Sequence, residues 1–147
     1  MALALLAAFG TSARTIEEIK KGGTLLVATE GQFAPFNYFV GNKLTGFEIE
    51  LTELIAKKMG VNLEWKALSF DALLAGLRQG RWDIAVASHG ITDERAKAVT
   101  FADPHYCSGG MIVAKDAGIR TAKDLAGKTV SVQTGTSYLD NVKNVPG

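Results

Sequence analysis

Three apolar runs separated by two amphipathic stretches constrain the fold class of this chain. Thr24–Thr29 follows the chain-breaking pair Gly22-Gly23 and reads as a buried strand. Thr45 and Glu48 have the spacing of a capping box, and Phe47, Leu51, Leu54, Ile55 and Met59 then fall on one helical face. Lys57 and Lys58 suit the negative end of that helix, and Gly60 ends it. Val61–Trp65 alternates as a second strand. Ser69 is placed to cap a helix with Phe70, Leu73, Leu74 and Leu77 inward, and Gly80 stops it. Asp83–Ala87 is the third strand. Such apolar strands leave no wet face, so the order predicts an α/β fold with a mostly parallel sheet. Right-handed crossovers put the helices on both faces.

Between these runs, residues 30–38 form an aromatic-rich loop punctuated by Pro35, and Gly41-Asn42-Lys43 reads as a turn. Downstream, the pattern predicts a short helix over Asp93–Val99 and a strand over Gly110–Lys115. A capping box at Thr121–Asp124, a strand over Thr129–Gln133 and a helix opening at Tyr138 after Gly135-Thr136-Ser137 follow. Asp103-Pro104 sets a turn, and Tyr38, Trp82 and Tyr106 read as packing residues. Residues 1–22 are a signal-like apolar segment with its lead-in: Ala2–Phe9 is unbroken and apolar, and a small-residue stretch ends near Ala13. The run is too short to span a bilayer, so no stable membrane insertion is expected.

The net charge of +1 argues against a nucleic-acid partner. One cysteine, Cys107, precludes an internal disulfide and reads as a small packed side chain. His89 and His105 have no ligand partner at helical spacing, so neither a metal nor another cofactor is expected. No catalytic constellation is apparent. His89 reads as a core histidine.

The chemistry concentrates at two strand-to-helix junctions. After Asp83–Ala87 the chain runs Ser88-His89-Gly90-Ile91, and Thr92 opens a helical turn containing Arg95. Exposed N–H groups, the positive end of the dipole and a guanidinium fork suit a small organic carboxylate. Gly135-Thr136-Ser137 is a second junction of this kind.

At this level the chain resembles the periplasmic amino-acid-binding proteins of ABC importers, the bacterial solute-binding family 3. The resemblance rests on residues 29–36, Leu44–Glu48, Ser69-Phe70-Asp71, Trp82–Ala85, Ile91–Arg95, residues 99–106 and Asp124–Lys128, in that order. It implies two α/β lobes joined by hinge strands with an amino-acid ligand held between them. The first lobe is expected over 23–108, a hinge strand over 109–116 and the start of a second lobe over 117–147. Arg95 matches the arginine that grips the ligand carboxylate, with Ser88, Gly90 and Thr92 around the head group. Phe33 and Phe70 match aromatic walls, and Glu30 a position near the distal end of the ligand. Gln133, Thr136 and Ser137 match the contribution of the second lobe. Gly90 departs from the usual Thr or Ser, and His89 from the usual apolar residue. Family members are longer, so the chain reads as a fragment that binds weakly by itself. The resemblance also implies a periplasmic location and an ABC permease as partner. The alternatives on this scaffold are a dehydratase-type enzyme and a ligand-sensing ectodomain.

Overall fold

The computed structural model describes residues 13–145; the apolar run proposed as a signal lies outside them. The chain divides into two compact units, 1–87 and 88–147. Each unit is described by itself.

The first unit opens with helix α1 (Ile16–Gly22), an element the sequence pattern did not suggest. Thr15 and Glu18 form a complete capping box, and Gly23 closes the helix in the left-handed conformation. Strand β1 (Thr24–Thr29) pairs in parallel with both β5 (Asn62–Ala67) and β6 (Ile84–Ala85), giving the order β5-β1-β6. The expected third strand is therefore paired over two residues only.

Helices α2 (Phe47–Met59) and α3 (Phe70–Arg78) connect these strands. Leu25 and Val27 of β1 pack with Ile19 of α1 and Met59 of α2. Leu26 and Ala28 pack with Phe70, Leu73 and Leu77 of α3, with Trp82 and with Ala87. Both faces of β1 are thus dry, which is why its sequence shows a continuous apolar run instead of an alternation. The architecture is the α/β arrangement expected, a parallel sheet flanked by helices.

Three local expectations in this unit are corrected. First, the aromatic-rich loop is a three-stranded antiparallel sheet of β2 (Gln32–Phe33), β3 (Asn37–Val40) and β4 (Lys43–Thr45). Gly41-Asn42 makes its tight turn, with Gly41 at φ 58°. Second, α2 is not capped by Thr45. Its N-cap is Gly46, at φ 123° and pressed so closely on Phe36 that a Cβ would lie 2.3 Å from the Phe36 carbonyl oxygen. The first N–H groups of α2 donate to the loop instead, Phe47 N to Pro35 O at 3.1 Å and Glu48 N to Phe36 O at 2.9 Å. With those donors satisfied, no side-chain cap is needed. Third, α2 buries Glu48, Ile49, Thr52 and Ala56, while Phe47, Leu54 and Ile55 are exposed. Docking of the first turn through Gly46 and Glu48 sets the helix rotation and overrides the apolar stripe.

The second unit has less regular structure. Helix α4 spans Asp93–Ala96, shorter than the stretch to Val99, and helix α5 spans Ser137–Lys143. A 3-10 helix over Ala122–Leu125 carries the predicted Thr121–Asp124 capping box. Neither 109–116 nor Thr129–Gln133 forms a strand. Met111 and Val113 are 88% and 92% exposed, so their apolar character is not met by any burial. Cys107 is exposed rather than packed.

Candidate functional site

In the second unit, Thr92 adopts the extended N-cap conformation and its hydroxyl accepts from Arg95 N at 3.2 Å. This fixes the turn that carries the Arg95 side chain. The guanidinium fork spans two backbone carbonyls: Nη1 donates to Gly90 O and Nη2 to Gly135 O, each at 2.8 Å. Arg95 therefore ties the Ser88–Gly90 segment to the Gly135–Ser137 segment. A Cβ added to Gly90 would lie 3.8 Å from Arg95 Nη1 and 4.0 Å from Ser137 Oγ, ordinary contact distances that place residue 90 beside the fork.

Ser88 stands at φ 53°, a left-handed conformation uncommon for a residue with a side chain. His89 is half-buried, and its pKa is lowered to about 4, first by loss of solvent and second by the positive charge of Arg95. Thr136 is buried and is the N-cap residue of α5, but its hydroxyl donates to Gln133 O at 2.8 Å instead of capping the helix. The structure thus puts the carbonyls of Gly90 and Gly135 on the Arg95 guanidinium and Thr92 on the Arg95 backbone, with Ser88 on the Gly90 segment and Gln133 and Thr136 bonded to each other beside Gly135. Gly135 itself, a direct partner of Arg95, was not apparent as such; its place before Thr136-Ser137 was the available signal.

In the first unit, half-buried Glu30 follows β1. Phe33 is 42% exposed and stacks on Phe36 with ring centroids 5.3 Å apart. Phe36 meets Phe47 edge-on at 6.4 Å. Phe70 differs: it is buried in the cluster of Ala28, Leu73, Trp82 and Ala87. Beneath the Phe33 loop lie two buried polar residues that sequence reasoning had not linked. Asn37 Oδ1 accepts from Gly31 N at 2.8 Å, and Asn37 Nδ2 donates to Glu48 Oε2 at 2.6 Å. The spacing of Glu48 from Thr45 fits a helix cap and so hides its inward role in the sequence.

Among the described residues there is no group of three or more His, Cys, Asp or Glu side chains able to hold a metal ion. No helix among them is long and apolar enough to cross a membrane.

The family model of the bacterial extracellular solute-binding proteins, family 3, matches residues 25–144. The chain belongs to that family. The arginine-binding extracellular protein ArtP of Bacillus subtilis (strain 168) is 39% identical over 132 residues, covering 89% of this chain and 51% of ArtP. The L-cystine-binding protein TcyJ of Escherichia coli (strain K12) is 39% identical over 157 residues, covering 100% of this chain and 59% of TcyJ. This member of family 3 spans little more than half the length of either relative. Among solved structures, an ancestral arginine-binding protein bound to arginine superposes with a TM-score of 0.80 at 41% identity, covering 84% of this chain and 56% of that one. The ancestral amino acid-binding protein AncCDT-1, a precursor of cyclohexadienyl dehydratase, superposes with a TM-score of 0.83 at 36% identity, covering 90% and 61%. The fold is that of a periplasmic binding protein, present here as a partial lobe structure.

Proposed function

We propose that this chain carries amino-acid-recognition residues of a periplasmic binding protein that delivers its ligand to an ABC permease. The single observation behind this reading is the Arg95 fork, held by the Thr92 turn and already gripping two oxygen acceptors with both Nη groups. A carboxylate presents two oxygens in the geometry that such a fork matches. Capture then exchanges neutral carbonyl oxygens for charged ones, with Ser88, Gly90 and Thr92 framing the head group. The exposed Phe33 ring offers one apolar wall for the ligand side chain, Phe70 is assigned the other, and Glu30 favours a cationic distal end. Gln133, Thr136 and Ser137 complete the polar contacts. The arginine-binding relative makes L-arginine the first probe.

Micromolar affinity requires about 8 kcal/mol. Charge-assisted hydrogen bonds contribute roughly 1.5–3 kcal/mol each before the exchange is counted, so few contacts give weak binding. The expected result with the 147-residue chain is a millimolar-range response to L-arginine in an NMR shift titration, weakened at least tenfold by Arg95→Ala. An affinity indifferent to that substitution would remove Arg95 from the site. We read the chain as a binder and not an enzyme. Product formed from prephenate or arogenate would replace that reading with a dehydratase.

A further inference from the structure

We infer that Asn37 and Glu48 are positioning residues: together they tether the Glu30–Phe33 segment and so set the Phe33 ring. The inference rests on the proposed binding role of that ring. Both side chains are fully buried, and they are joined to each other at 2.6 Å. The backbone of Asn37 pairs with Phe33 in the β2–β3 ladder, and its side-chain Oδ1 accepts from Gly31 N at 2.8 Å. Gly31 lies between Glu30 and Phe33, at φ 75°, where an added Cβ would lie 2.6 Å from the Phe39 ring. A side chain at residue 31 would meet that ring, so the segment keeps a glycine whose N–H faces the Asn37 amide.

Glu48 is in turn immobilised by its place in the first turn of α2. Its N–H donates to Phe36 O at 2.9 Å, and its own carbonyl accepts from Thr52 Oγ1 at 2.7 Å. The path therefore runs from a rigid helix through two buried polar groups to the strand that presents Phe33. A core with no such task would hold apolar residues here, since buried polar pairs add little net stability and mainly fix one arrangement.

The test separates position from stability. Glu48→Gln keeps an oxygen for Asn37 Nδ2 and should preserve the bond. Replacing both partners, Asn37→Leu with Glu48→Met, removes the polar pair without leaving one side chain of it unpaired and takes the acceptor from Gly31 N. The full chain of each variant is checked for its fold by circular dichroism and thermal unfolding. Phe33–Phe36 ring contacts are then read by NMR, and L-arginine is titrated. The expected result is a folded double variant that loses the Phe33–Phe36 contacts and binds L-arginine at least fivefold more weakly, with Glu48→Gln within twofold of the parent. In a Phe33→Ala background the same double replacement should change affinity less than twofold. Intact ring contacts in the folded double variant would overturn the inference, as would a full additional loss in the Phe33→Ala background. If the double variant does not fold, Asn37→Ser, whose shorter side chain withdraws the acceptor from Gly31 N, is read the same way. A parent chain that gives no response to L-arginine would overturn the binding role alone, and the ring contacts would still decide this one.

Discussion

His89 makes the stability of the second unit depend on pH in a direction that can be worked out. Burial and the nearby Arg95 charge lower its pKa from 6.5 to about 4. The folded state thus holds the imidazole neutral in a window where the unfolded chain protonates it. Stability from this group is fully present above about pH 6.5 and declines as pH falls toward 4. Each pH step across that window costs about 1.4 kcal/mol, so moving from about pH 7 to about pH 4.5 removes roughly 2–3 kcal/mol. Urea unfolding at the two pH values, with the parent and with His89→Gln, isolates the effect, because carboxyl groups elsewhere cancel in the comparison. The parent should lose about 2 kcal/mol more than the variant on acidification. Arg95→Ala should shrink that difference, since it removes the second cause. A ligand carboxylate on Arg95 should likewise raise the His89 pKa, visible in the imidazole proton shifts. Equal losses in parent and His89→Gln would refute the reasoning.

Three further outcomes follow from particular contacts. Gly76→Ala would put a Cβ 2.1 Å from Trp82 Cη2, and it should destabilise the first unit by about 1–3 kcal/mol or more, measured by thermal unfolding. Arg14 Nε donates to Asp83 Oδ1 at 2.8 Å, while Asp83 Oδ2 also accepts from Leu26 N at 2.7 Å. Arg14→Ala should therefore cost about 1 kcal/mol, and Arg14→Lys should restore little of it because one ammonium does not match the fork. The Asp124 carboxyl accepts from Arg120 N and from Thr121 N and Oγ1. It is held below the ordinary aspartate value, first by the Arg120 backbone bond. NMR titration should show this, and its support of the 3-10 helix should vanish only as pH falls through that lowered value.

The α/β core was legible because its signals are local and strong. A continuous apolar β1 needs two covering layers, and Gly23 and Gly60 end their helices in left-handed turns. The Ser88–Arg95 junction was legible for the same reason, since Thr92 caps a turn with its own hydroxyl. What was missed depends on partners distant in sequence. Residues 109–116 are apolar enough for a strand, but strand propensity expresses a fit to a pleated, half-buried surface. No strand among the described residues pairs with them. The antiparallel sheet of β2, β3 and β4 was hidden because its strands are short and carry aromatics at positions that a loop also tolerates. Glu48 was misread because one spacing serves two purposes: a Glu after a threonine either closes a capping box or, when carbonyls of another loop satisfy the helix N–H groups, turns inward.

The same competition between backbone and side-chain acceptors bears on the strength of ligand capture. Arg95 does not wait in water for a carboxylate; its Nη groups already donate to Gly90 O and Gly135 O. Binding must therefore be counted as an exchange. The guanidinium is charged in both states, so its bonds to the carbonyls are already charge-assisted, and each exchanged bond nets at most about 1 kcal/mol rather than the full charge-assisted value. Two exchanges give at most about 2 kcal/mol, or roughly thirtyfold in affinity. Arg95→Lys makes the argument testable, because a lysine supplies the charge but not the planar fork. It should keep part of the electrostatic attraction and lose the paired geometry, so its affinity should fall between those of the parent and Arg95→Ala. An affinity for Arg95→Lys equal to that of the parent would mean that charge alone holds the ligand and that the fork is built only to brace the two loops.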